Sequence, residues 1–145
     1  AFDVSKIKVS GTSYGSNQIQ IFNHVTTNIG NAYDSSNGRF TAPVAGTYEF
    51  THLGMGAGNT TGSSLGSGQT VQMFFRKNGS NTNTTKYGRI YSVVTQSGAV
   101  NYPNIHTSTI LTLAQNDYIE VYYDAYYMYF DTSIFNNFTG KLIGG

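Results

Sequence analysis

The stretch from residue 22 to residue 50 constrains the fold of this chain more than any other. It contains the turn sequence Asn37-Gly38, and a second turn begins at Pro43. Asn-Gly readily supplies positive φ, whereas proline fixes φ and removes a backbone donor, so both sequences punctuate strands. The residues that follow the second turn alternate between polar and aromatic, with Tyr48, Phe50 and His52 on one face. This period predicts strands rather than helices.

The same alternation recurs in later segments, each bounded by Gly-, Asn- or Pro-containing turns. The side chains predicted to face the core are Val71, Met73 and Phe75; Ile105, Thr107, Thr109, Leu111 and Leu113; and Ile119, Val121 and Tyr123. No segment combines a helical stripe with a capping box. Several short strands separated by turns predict an all-β fold, a sandwich or a jelly roll.

Size and charge restrict the function. At 145 residues the chain is expected to form one domain, spanning residues 1–145. Charged residues make up only 10% of it and the net charge is +1, so a phosphate-binding nucleic-acid surface is not expected. No apolar run reaches membrane-spanning length. The chain has no cysteine, and its polar surface of Asn, Thr, Ser, Gly and Tyr is common on extracellular and virion proteins.

The sequence offers no pattern for catalysis. The three histidines, His24, His52 and His106, are widely spaced and lack the spacing of metal ligands. There is neither a cysteine nucleophile nor a G-x-S-x-G elbow. Because His52 shares a face with aromatic residues, we interpret it as a partly buried histidine with satisfied hydrogen bonds. An enzyme is therefore not expected.

The densest functional signal is a run of tyrosines, which places six of the chain's 12 tyrosines between residues 118 and 130. Strand alternation cannot bury all of them, and tyrosine offers a rigid flat face and a hydroxyl for recognition. Asp124, Asp131 and Asn136 could hydrogen-bond sugar hydroxyls. The predicted ligand-binding residues are Tyr126, Tyr127, Tyr129, Asp124, Asp131 and Asn136. Asp124 and Asp131 could also bind an ion, although solvated hairpin aspartates are the simpler interpretation.

Two motifs carry a resemblance to a known family: Asn28-x-Gly30-x-x-Tyr33-Asp34, then Gly38-x-Phe40-Thr41-x-Pro43-x-x-Gly46-x-Tyr48-x-Phe50. Shorter matches follow in order at Lys77-Asn78-Gly79, Leu111-x-Leu113, Asn116-Asp117-x-Ile119 and Phe138-Thr139-Gly140-x-Leu142, with Asn116 where a glycine is usual. Over almost its whole length the chain thus resembles the globular heads of the complement C1q family. The resemblance implies a ten-strand jelly roll that assembles as a homotrimer, with a binding role rather than catalysis.

The resemblance also bears on the outward aromatic residues and on metal. In a trimer, Phe74, Tyr118 and Tyr122 would fill the subunit interface, although a neighbouring loop of the same chain could equally cover Phe74. Some relatives hold calcium near the trimer axis with aspartates of one loop. The corresponding loop here, residues 96–104, has no carboxylate. No cofactor is therefore expected, since calcium prefers several oxygen ligands with negative charge.

Two functions follow. The first is a trimeric extracellular recognition head that binds a cell-surface ligand, a glycan or a protein receptor, on a virion or phage fibre or as a secreted lectin-like protein. The second is a purely structural trimerisation cap or capsid decoration without a ligand. Recognition predicts exposed tyrosines beside a polar pocket, whereas the structural module predicts that the tyrosine run is buried between subunits.

Overall fold

The computed structural model describes residues 1–8, 13–14, 17–58, 65–93, 102–131 and 135–145, with only the backbone of residues 13–14 and 91–93. These residues form β-strands and one short 3₁₀ turn. The strands are β1 Phe2–Ser5, β2 Ser13–Tyr14, β3 Gln18–Ile19, β4 His24–Asn28, β5 Tyr33–Asp34, β6 Arg39–Thr41, β7 Gly46–Ala57, β8 Thr70–Lys77, β9 Lys86–Val93, β10 Asn104–Leu113, β11 Tyr118–Ala125, β12 Tyr127–Tyr129 and β13 Asn137–Gly144; the 3₁₀ turn is Asn83–Thr85. Within the described part of the chain, no helix is long and apolar enough to cross a membrane.

The strands form two antiparallel sheets, which confirms the predicted all-β jelly roll. In sheet A, the long strand β7 pairs with β10 and β13, and also with β12, which continues to β2. Strand β13 continues to β1 and β4. Sheet B has the order β5-β6-β11-β8-β9, with β3 also paired to β11. The sheets face each other across the core: burial alternates along β7 and β10, whereas β8 and β11 are buried on both faces.

Aromatic rings fill the space between the sheets. Phe2 of sheet A stacks on Phe40 of sheet B with ring centroids 5.1 Å apart, and Phe50 lies 5.1 Å from Phe40 in an edge arrangement. All the residues predicted to face inward from β8 and β11 are buried, and so are Tyr48, Phe50 and His52 on β7. Rings at these separations attract each other beyond simple area burial.

The turns form where the sequence predicts them. Asn78 and Gly79 both have positive φ, at 53° and 70°, between β8 and the 3₁₀ turn. Gly38 has φ +79° at the β5–β6 hairpin, and Asn116 adopts φ 71° at the β10–β11 hairpin. Asparagine tolerates this left-handed region better than other non-glycine residues, which explains how Asn116 replaces glycine there.

Candidate functional site

The tyrosine run does not stay in one sheet. Strand β11 ends at Ala125 in sheet B, and β12 starts at Tyr127 in sheet A. Tyr126 joins them with φ 55°, an uncommon value for a non-glycine residue. The crossover separates Asp124 from Tyr127 and Tyr129, so the predicted ligand residues belong to two different faces.

On the sheet B side, Asp124 is held by its own chain. Its carboxylate accepts a 2.5 Å hydrogen bond from Gln72 Nε2 and lies 3.6 Å from Lys86 Nζ. Gln72 in turn accepts a 2.8 Å hydrogen bond from Arg89. Asp124 is therefore part of a polar ladder across sheet B and lies apart from the tyrosines of β12.

The structure also corrects the prediction for Asn136. Its side chain is fully buried, where Oδ1 accepts a 2.7 Å hydrogen bond from the Met55 backbone and Nδ2 donates to the Tyr129 carbonyl. Its own carbonyl accepts a 3.0 Å bond from the Lys6 backbone. A buried amide satisfied in this way positions neighbouring backbone rather than contacting a ligand.

The remaining predicted residues meet others that sequence reasoning missed. Tyr129 stacks against Tyr102, with ring centroids 4.3 Å apart, and against Phe135, at 6.4 Å. Phe135 is 43% exposed. Burial raises the pKa of Tyr129, and the charge of Asp131 and a hydrogen bond to it act in the same direction. We call Tyr102, Tyr129, Asp131 and Phe135 the aromatic end.

Strand pairing explains why these residues meet. Met55 of β7 pairs with Asn104 on one side and with Tyr129 on the other, so the start of β10 and the end of β12 lie on either side of the same residue. Tyr127 and Tyr126 lie nearby and are partly buried, with Tyr126 packed against the core. Pairing between distant strands leaves no signal in a single sequence.

A shallow depression of about 430 Å³ adjoins the aromatic end on the outer face of sheet A. Phe135 belongs to both features. The other lining residues come from β7 and β10, and they are Leu53, Gly54, Met55, Asn104, Ile105 and His106. Apolar walls with a few polar groups are typical of small ligand sites.

His52 lies between the sheets beneath this depression, and its hydrogen bonds are satisfied, as the sequence predicts. Its Nδ1 lies 2.8 Å from the Asn137 carbonyl and its Nε2 lies 3.1 Å from the Tyr123 hydroxyl. The carbonyl can only accept, so Nδ1 carries the proton and Nε2 accepts from the tyrosine. Burial lowers the pKa of His52 to about 4; the Asn137 bond opposes this shift, and the charge of His106 adds to it.

The predicted interface residues Phe74, Tyr118 and Tyr122 lie on the outer face of sheet B, where cations of the same chain cover their rings. Phe74 is fully buried and Tyr122 is 7% exposed in the single chain. The covering contacts are Lys86 Nζ at 4.7 Å from the Phe74 ring, Arg76 at 4.3 Å from Tyr122 and Arg39 at 4.4 Å from Tyr118. Phe74 is thus already buried in the single chain, where Lys86 and Tyr122 of the neighbouring strands contact its ring.

A buried carboxylate holds two of these cations in place. Glu120 is fully buried, and its two oxygens lie 2.7 Å from Arg39 Nε and 2.7 Å from Arg76 Nη2. Among the described residues, no group of three or more His, Cys, Asp or Glu side chains could hold a metal ion. Most of the loop compared with calcium-binding relatives, residues 96–101 of 96–104, lies outside the described residues.

Comparison with known proteins identifies the family. The sequence matches the C1q domain over residues 1–143. This chain belongs to the C1q domain family. A search of curated protein sequences finds no match.

Solved structures agree with this fold. The C1q domain described here is similar to the globular domain of zebrafish complement 1qA protein, with TM-score 0.64, 17% identity and coverage of 98% of this chain and 95% of that chain. It is also similar to murine APRIL, with TM-score 0.61, 14% identity and coverage of 96% and 94%. Eiger TNF from S. frugiperda gives TM-score 0.59, 11% identity and coverage of 96% and 88%.

The structure gives a physical reason for the motif of this C1q domain. The Asn28 side chain donates 2.8 Å to the Tyr33 carbonyl and accepts 3.0 Å from the Tyr33 amide, which closes the turn containing Gly30. The buried Tyr33 hydroxyl bonds both backbone groups of Phe22. The Tyr48 hydroxyl donates 2.7 Å to the Val44 carbonyl. The motif residues therefore fix loops and core, and none of them is placed in the aromatic end.

Proposed function

We propose that this C1q domain is the subunit of a homotrimeric extracellular recognition head, which binds a cell-surface glycan at the aromatic end. Assembly uses the part of the outer face of sheet A around Ile110 and Glu49, away from the aromatic end. The setting is either the surface of a virion or phage, or a secreted lectin-like protein. The observation that carries the proposal is the uneven distribution of exposed apolar side chains between the two sheets.

Within the described part of the chain, eight large apolar side chains are exposed. Two of them, Ile29 and Val44, lie in turns. The other six belong to strands of sheet A or to the segment just before β13, and they are Val25, Leu53, Ile110, Phe135, Leu142 and Ile143. Of these, Leu53 and Ile110 alternate with buried residues of β7 and β10 and therefore lie on the outer face of sheet A. Ile110, at 62% exposed, supports a protein interface there.

The occupant we propose for this face is a second copy of the chain. Its few charged groups include a pair, with Lys141 Nζ 2.9 Å from Glu49, and Asp3 beside them, so the face carries little net charge to repel an identical surface. The structural relatives share the sandwich architecture, and the resemblance on the motifs implies a trimer. The interface therefore moves from the sheet B residues expected from the sequence to sheet A.

The aromatic end supports glycan recognition. Tyr129 and Phe135 present nearly parallel rings, with an interplanar angle of 29°. Flat aromatic surfaces contact the apolar face of a sugar ring, and the Asp131 carboxylate beside them accepts hydrogen bonds from hydroxyls. The proposed ligand contacts are therefore Tyr129, Asp131, Tyr102 and Phe135, with Tyr126 and Tyr127 at their margin.

The test has two independent readouts. Native mass at micromolar chain concentration should give a trimer, and the same mass in the presence of a chelator. A glycan array probed with the wild-type protein should give binding that Tyr129→Ala reduces at least about fivefold, because an aromatic platform contributes on the order of 1–3 kcal/mol. Tyr118→Ala is the matched control, since it removes a partly exposed tyrosine from sheet B and should leave binding unchanged.

The outcomes separate the two candidate functions. A monomer at micromolar concentration contradicts the trimeric head. A trimer that binds no glycan on the array, with the aromatic end protected from solvent in the assembly, instead supports a structural cap or capsid decoration module.

A further inference from the structure

Three buried polar side chains converge beneath the depression. They surround Gly54, where a Cβ atom would lie 2.6 Å from His52 Nε2, 2.8 Å from the Tyr123 hydroxyl and 2.9 Å from Asn136 Oδ1. Gly54 also lines the depression itself. The polar groups therefore fill the space that a side chain at residue 54 would occupy. We call His52, Tyr123 and Asn136 the polar cluster.

The polar cluster connects the segments that carry the proposed ligand-binding residues. Asn136 bonds the backbones of Met55 and Tyr129, and His52 donates to the carbonyl of Asn137. Residues 136 and 137 directly follow Phe135. The positions of the Tyr129 and Phe135 rings on sheet A therefore depend on hydrogen bonds made by this cluster.

The surroundings of His52 accept only a neutral imidazole. The groups that contact it are the Tyr123 hydroxyl from β11, the Asn137 carbonyl from β13 and the Phe22 ring at 5.6 Å, while His106 on the outer face of β10 acts on it only through its charge. None of these is a carboxylate. A proton added at Nε2 would remove the acceptor of the Tyr123 hydroxyl and leave an uncompensated charge in the core, which is strongly unfavourable.

We infer that the polar cluster is an acid-sensitive support of the ligand site. Protonation of His52 removes the acceptor of the Tyr123 hydroxyl and places a charge between the sheets, so the segment Asn136–Asn137 separates from β7 and the Met55–Asn136 bond breaks. Phe135 and Tyr129 then lose their fixed positions and the site releases its ligand, while the rest of the sandwich stays folded. This regulation rests on the proposed function, because it acts on the same site.

Hydrogen exchange tests the acid-sensitive support without any ligand. The protection factor of the Met55 amide, corrected for the intrinsic pH dependence of exchange, should fall about tenfold per pH unit between pH 6.5 and 4.5. The Ala42 amide, which donates 2.8 Å to the Asp117 carbonyl on sheet B, should keep its protection. A constant value at Met55, or a parallel fall at Ala42, would overturn the inference.

The matched variant is His52→Asn, whose amide nitrogen keeps the donor to Asn137 without a titratable group. Its Met55 protection should not change with pH; a slope equal to that of the wild type contradicts the role of His52. If this variant does not fold, NMR of the wild-type imidazole decides. His52 should remain the neutral Nδ1–H form at pH 6 and titrate together with the loss of Met55 protection. Protonation of His52 without a loss of Met55 protection would reject the acid-sensitive support.

Glycan binding is scored separately from exchange. If the array shows no ligand at pH 7, the proposed function fails, whereas the exchange result still tests the acid-sensitive support. If a ligand is found, its dissociation should accelerate at least tenfold between pH 6.5 and 5 in the wild type and remain constant in His52→Asn. Equal acceleration in both proteins would contradict the inference.

Discussion

The outer faces of sheets A and B both carry large side chains, but the chain covers only those of sheet B. On sheet B, Phe74, Tyr118 and Tyr122 each have a cation over the ring, and the buried Glu120 holds two of those cations. On sheet A, Ile110 is 62% exposed, and its neighbour in the register is the partly exposed Glu49. One face is thus complete within a single chain, whereas the other retains apolar surface for a partner.

The difference shows that aromatic residues in the sequence do not by themselves identify a subunit interface. An aromatic residue that points away from the core predicts an interface only if nothing in its own chain covers it. Arginine and lysine cover a ring while keeping their charged ends hydrated, so they remove an apolar patch without a second subunit. The interface is better sought where aliphatic residues lack such neighbours.

The largest expected effect is on assembly. Ile110→Asp places a charge in each of the three proposed interfaces, at a cost of about 2 kcal/mol for each one. Native mass should therefore fall from trimer to monomer at micromolar concentration, while circular dichroism keeps its strand signal. Ile29→Asp, in a turn outside both sheets, is the control and should remain trimeric. A trimeric Ile110→Asp protein would show that the face of sheet A is not the interface.

Next in size is the loss of the buried carboxylate. Glu120→Gln keeps the shape of the side chain but leaves Arg39 and Arg76 without their counter-charge, so the free energy of unfolding should fall by about 3 kcal/mol. The counterpart on sheet A is Glu49→Gln, whose exposed partner Lys141 predicts a change below about 0.5 kcal/mol. Urea unfolding at pH 7 in an Ile110→Asn background, which disturbs the same face without placing a charge beside Glu49, measures both without a contribution from assembly. Equal losses would remove the distinction between the faces.

The smallest of these effects concerns a single covering cation. Lys86→Met removes the ammonium above Phe74 and its pair with Asp124, and we expect a loss of about 1 kcal/mol. Lys141→Met in the same background should be neutral within about 0.5 kcal/mol, because Lys141 is mostly exposed. If the two lysine variants have the same stability, the cation–ring contacts on the outer face of sheet B do not contribute to the free energy of unfolding.

Local chemistry determined which parts of the fold could be predicted. Alternation along β11 correctly places Ile119, Val121 and Tyr123 in the core, and turn residues such as Asn116 mark the hairpins. These features depend on residues close together in the chain, which is why a single sequence contains them.

The candidate site depends on features that are not local. The left-handed conformation at Tyr126 directs β12 to the other sheet, so Asp124 and Tyr129 lie on different sheets although they are close in sequence. Tyr102 reaches Tyr129 only because β10 and β12 both pair with β7. The contact between Lys86 and Phe74 likewise depends on the β8–β9 register, in which Lys86 pairs with Arg76, two residues after Phe74. No pattern within one segment predicts such contacts between distant residues.

The twelve-residue strand β7 has a consequence for how the chain reaches its native state. One of its edges pairs Phe50 with Thr109, and the other pairs Phe50 with Gly140, so both partners are synthesised long after β7 itself. Contacts so distant in sequence make folding slow. Until β13 has been synthesised, a long strand with apolar side chains keeps an open edge that other nascent chains can join. Because of this order of the strands, we expect aggregation during synthesis to be the main hazard for this domain. A chaperone that covers β7 would then be its most useful partner at that stage.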